Sequence, residues 1–146
     1  MCDACGDKVG TETPNREVLN LWIDALESGK YQQTTQVLRR NDENGEAVGY
    51  CCLGVLCELA VEAGVIQPSI LNPNATNISM YGEGENTGNL PKEVRKWVGL
   101  ATPNGRFNET GEEYSSTTLI GLNDTHGYNF QQIAGVLRDK FLPRSV

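Results

Sequence analysis

Apolar residues recur at helical spacing along most of the chain. Val18, Leu19, Trp22 and Leu26 follow Thr13-Pro14, which predicts a helix with Thr13 as its N-cap and Pro14 in its first turn. Gly29 supplies the stop. Cys52, Val55, Leu56, Leu59 and Ala60 form an i, i+3, i+4, i+7, i+8 face, so 53–63 reads as a helix ended by Gly64. That helix is apolar on most sides and should be the central one. Pro91 opens a short helix with Val94, Trp97 and Val98 turned inward, and Gly99-Leu100 closes it. Ser115 or Ser116 should cap a helix through Leu119, Ile120 and Leu122, which Asn123 to Gly127 breaks. Asn129, with Gln132 three residues on, is a capping box for a last helix that buries Ile133, Ala134, Leu137 and Phe141.

Two short β-prone runs flank the turn Asn41-Asp42-Glu43-Asn44-Gly45, which predicts a hairpin within Gln36–Cys52. Arg106–Asn108 could add a short strand. Segment 65–89, rich in Gly, Pro and Asn, reads as a long irregular loop anchored by Ile78, Met80 and Tyr81. The expected architecture is α+β: about four helices packed with a small antiparallel β-hairpin or sheet. Residues 1–12 are polar and aperiodic and read as a flexible tail, leaving 13–146 as one domain.

Charge narrows the function classes. Nineteen Asp and Glu against twelve Lys and Arg give −7 over 146 residues. Nucleic-acid binding neutralises phosphates with Lys and Arg, so nucleic acid is not an expected partner. No apolar run reaches the ~18 residues of a membrane span. No secretory signal is evident, so the four Asn-x-Ser/Thr triplets carry no glycosylation expectation and the location expected is cytoplasmic. Self-association is left open.

Little in the chain names a reaction. Cys2-x-x-Cys5 and Cys51-Cys52 could offer four thiolates, but adjacent cysteines point apart; no metal is expected, and Cys51, Cys52 and Cys57 read as small core residues. The single histidine, His126, lies in a Thr-His-Gly turn without the surroundings of a catalytic triad. Tyr81–Gly88 is Gly-rich but lacks the Lys-Ser/Thr of a phosphate loop, and its Glu83/Glu85 pair reads as a solvated face. Neither catalysis nor a cofactor is expected. Two basic clusters stand out. Arg39-Arg40 borders the hairpin turn. Lys92, Arg95 and Lys96 share one helix face, which is either solvated or the wall of a pocket for a phosphorylated or acidic ligand. The last two helices also have the layout of a helix-turn-helix.

Four blocks occur in order: Leu21 to Tyr31, Gly49 to Ala60, Leu90 to Leu100, and Leu122 to Ala134. Together they resemble a widespread family of small proteins of tailed bacteriophages, and Tyr50-Cys51-Cys52-Leu53-Gly54-Val55-Leu56-Cys57 is the most specific part. The resemblance brings no catalytic residue with it. By analogy of context it implies a counter-defence role in an infected bacterial host. The leading expectation is therefore a non-catalytic protein that binds and sequesters a small nucleotide-type immune signal. Arg39, Arg40, Tyr50, Tyr81 and His126 are its expected ligand contacts. The alternatives are an inhibitor that contacts a host defence protein directly, and a small helix-turn-helix regulator.

Overall fold

The computed structural model describes residues 15–107 and 115–142. Five helices occur among them: α1 (Arg16–Glu27), α2 (Cys52–Glu62), α3 (Lys92–Val98), α4 (Leu119–Asp124) and α5 (Phe130–Lys140), with a 3₁₀ turn at Ser115–Thr117. Four strands, β1 (Arg39–Asn41), β2 (Ala47–Tyr50), β3 (Ile70–Asn72) and β4 (Ala75–Met80), form one antiparallel sheet in the order β2-β1-β4-β3. The class is α+β.

α2 is the centre. Cys52 to Cys57, Leu59 and Ala60 are all buried, which an all-round apolar sequence requires. α1, α3, α4 and β2 pack around it, and α5 closes over α1. Trp22 is fully buried and its indole N–H donates to the Cys52 carbonyl at 2.9 Å. Glu27 and Arg138 join α1 to α5 through two bonds of 2.6 Å across 111 residues of sequence. Cys51, Cys52 and Cys57 lie in this core as expected; burial pushes the Cys51 thiol up to about 12 and raises Cys52 and Cys57 in the same direction. Among the described residues no cluster could hold a metal ion, while Cys2 and Cys5 lie outside them. No described helix is long and apolar enough to cross a membrane.

α2 lies so close to the segment entering β1 that Gly54 has no substitute. A Cβ at Gly54 would sit 1.8 Å from the Leu38 carbonyl oxygen. The helix thus packs directly on the backbone that leads into β1.

Several expectations need correction. Segment 65–89 is not an irregular loop: it contains β3 and β4, which extend the sheet beyond β1. α1 is capped by Asn15, whose side chain accepts from Val18 N–H, and Thr13-Pro14 lie outside the described residues. Thr118 caps α4, not Ser115 or Ser116, and α4 runs through Asn123 and Asp124. Arg106 bridges Thr118 and does not join the sheet, while Asn108 lies outside the described residues. Trp97 and Phe141 are half-buried at the edge of the core. The Asn129–Gln132 capping box is present as expected.

Candidate functional site

The expected ligand contacts do not converge. Successive residues on a strand point to opposite faces, so Arg39 and Arg40 diverge. Arg40 turns toward Thr34 and Thr35, donating to the Thr34 hydroxyl at 3.1 Å and the Thr35 carbonyl at 3.2 Å. Arg39 turns the other way, opposite Tyr50 in the register. Its guanidinium donates to Asn41 at 2.7 Å, Gly45 at 3.2 Å and Ser69 at 3.3 Å, and lies 4.0 Å from Glu58. Tyr81 is fully buried and donates its hydroxyl to Glu58 at 2.5 Å. Burial and the Glu58 carboxylate both raise the Tyr50 and Tyr81 phenols. Arg39, Tyr50 and Tyr81 therefore surround Glu58 as an internal clamp between sheet and α2. The Tyr81 ring is core, not a platform on which a base could stack. His126 is exposed in the α4–α5 turn.

Sequence reasoning missed Glu58, yet it is the single charged residue between Cys51 and Val61. A lone carboxylate in such a run needs a buried partner, and that was the available signal. It also missed Asn123, which is 1% exposed. Its side-chain oxygen accepts from Gln33 at 2.8 Å and from the Cys52 N–H at 3.2 Å. Its amide donates to the Thr34 carbonyl and to Asp124, both at 2.9 Å. Asn123 thus satisfies the start of α2, where Cys51 offers no side-chain cap.

The second basic cluster does line a cavity. Val94 and Val98 bury one side of α3 in the core, which turns Lys92, Arg95 and Lys96 outward along i, i+3, i+4. Opposite them the chain folds back after β4. Tyr81 and Asn86 exchange two backbone hydrogen bonds of 2.9 Å, closing a tight loop anchored by the buried Tyr81 ring. Gly82 lets this loop meet α3: it holds φ +75°, and a Cβ there would lie 2.6 Å from Pro91 Cβ. The Glu83 N–H reaches the Glu93 carboxylate at 3.5 Å. Between loop and helix lies an open groove of about 700 Å³. Lys92, Arg95 and Lys96 form one wall, Glu83, Gly84 and Asn86 the other, and Leu90 and Pro103 add an apolar surface. Arg95 is also held in place by its bond to the Leu100 carbonyl at 2.9 Å. In a chain of net charge −7, this places three cations against two glutamates in one groove.

Residues 14–141 match the family model described as Domain of unknown function (DUF8296), and the chain belongs to that family. No curated protein and no solved structure matches the chain.

Proposed function

We propose that this protein is a non-catalytic binder that sequesters a small nucleotide-type signal, held by its phosphate in the groove between α3 and the Tyr81–Asn86 loop. The observation that carries this reading is the meeting of Lys92, Arg95 and Lys96 on one wall of a groove of about 700 Å³, within the ordinary size of ligand sites. An acidic protein repels anions at a distance, so it must gather its cations locally to hold a phosphate. The site moves from Arg39 and Arg40, whose guanidinium groups serve the fold, to the α3 face. The resemblance to phage proteins gives the reading its context: a ligand withdrawn from a host defence pathway.

Thermal melting with a panel of nucleotides tests it. At least one nucleotide should raise the melting temperature, Lys92→Ala with Lys96→Ala should abolish that rise, and heating should release the ligand intact. No shift with any nucleotide would overturn binding, and a cleaved ligand would overturn the non-catalytic reading.

One observation favours the inhibitor alternative. Ile70 and Leu71 are exposed on β3, at the sheet edge, and Val48 is exposed on β2 at the other edge. Exposed apolar edge strands suit a protein partner. The regulator alternative is weakened because Arg138, one of the few cations on α5, is engaged by Glu27.

A further inference from the structure

A second cavity, of about 330 Å³, adjoins the groove. Its apolar lining includes Ile66, Pro68, Ile70 and Met80, with Ile70 and Met80 paired across β3 and β4. Glu83 and Glu93 line both cavities. The two spaces are therefore consecutive, one cationic and one apolar, with carboxylates at their junction.

This order fixes how a ligand could lie. Carboxylates repel phosphate, so the phosphate belongs at the lysine end. A flat, weakly hydrated ring belongs between the aliphatic side chains at the other end. The edge of that ring then faces the glutamates. An ionised carboxylate only accepts hydrogen bonds. Glu93 is turned to the loop by the Glu83 N–H, whereas the Glu83 carboxylate makes no hydrogen bond or ion pair among the described residues. Glu83 is thus available to read the ring.

We infer that the ligand of this site is a guanine nucleotide, with Glu83 accepting from the guanine edge and Lys92 and Lys96 holding the phosphate. This rests on the groove being a nucleotide site. Guanine is the common base that presents two adjacent donors, N1–H and the N2 amino group, to the two oxygens of one carboxylate. Adenine and cytosine place a ring lone pair beside their amino group, and that lone pair would face the second carboxylate oxygen. Uracil and hypoxanthine present a single ring N–H. A site built to satisfy two donors discriminates strongly against rings that lack one.

Equilibrium dialysis of the full chain at low salt with GMP, IMP, AMP and guanosine tests the inference. GMP should bind at least about tenfold more tightly than AMP, with IMP between them. Guanosine should bind more weakly than GMP because it lacks the phosphate. Glu83→Gln presents an amide, which complements the adenine edge; it should erase or reverse the preference for GMP over AMP. Lys96→Ala should weaken GMP and AMP by the same factor. Equal binding of GMP and AMP by the unaltered protein, or an unchanged preference in Glu83→Gln, would overturn the guanine inference and leave the nucleotide groove standing. Absence of binding by every nucleotide would remove both.

Discussion

The backbone N–H of Cys52 donates to the side-chain oxygen of Asn123, 71 residues later in the chain, at 3.2 Å. One buried amide thereby caps the central helix from outside its own sequence. Asn123→Ala would leave the Cys52 N–H and the Thr34 carbonyl without this partner, at about 1–3 kcal/mol for each buried group. A loss of about 3 kcal/mol in urea unfolding is expected. Asn123→Asp keeps the acceptor for Cys52 but loses the donor to Thr34 and sets a second carboxylate beside Asp124. It should recover only part of the loss, and full recovery would deny the amide its role.

Gly54→Ala should be far more damaging than its single methyl suggests. The added carbon would sit 1.8 Å from a backbone oxygen, and backbone cannot rotate aside as a side chain can. A cost beyond the usual ~1–3 kcal/mol of overpacking is expected. Expression with circular dichroism checks it: a variant that melts like the parent would refute the close approach of α2 to Leu38.

Arg39 and Lys96 should part company under alanine substitution. Arg39→Ala removes bonds to Asn41, Ser69 and Gly45 and takes the cation away from Glu58, so a loss of about 1–3 kcal/mol is expected. Lys96 is exposed, and Lys96→Ala should leave stability within about 0.5 kcal/mol while weakening nucleotide binding. Denaturant midpoints measured beside binding separate the two roles.

Alkaline pH should destabilise the fold through its thiols. In the unfolded chain a cysteine ionises near ~8.5, whereas Cys51 is held up to about 12 by burial. Between those values the unfolded state has released a proton that the native state retains, so stability falls as pH rises. The thiol contribution is complete below about pH 8.5 and erodes above it, with Cys52 and Cys57 adding in the same direction. Urea midpoints at pH 7, 8.5 and 10 should decline across the last interval. Native protein at pH 8 should resist a thiol reagent at all three positions.

What could be read from sequence was whatever a local pattern specifies. The Asn129–Gln132 box lies within one helical turn, and the face of Cys52, Val55, Leu56, Leu59 and Ala60 lies within three. β3 and β4 escaped because β3 has only three residues, and the adjacent Ile70 and Leu71 are both exposed instead of alternating with a buried side. The Glu83–Glu93 junction escaped for a different reason. It depends on a loop folding back across α3, and that path follows from burial of Tyr81 and the close fit of Gly82 to Pro91. The Arg39–Arg40 pair was conspicuous in composition, yet strand alternation sends its two members to opposite sides.

The clasp between Glu27 and Arg138 has a bearing on how the protein is born. α1 leaves the ribosome before α5, the helix that covers it, with every other described element in between. Until α5 has been made, the apolar stripe of Val18, Leu19, Trp22, Ile23 and Leu26 has no lid from it. Contacts so distant in sequence form slowly, because a long loop must close before they reward the chain. Completion of this part of the core therefore waits for α5. Until then the nascent chain presents the kind of sticky surface that chaperones recognise.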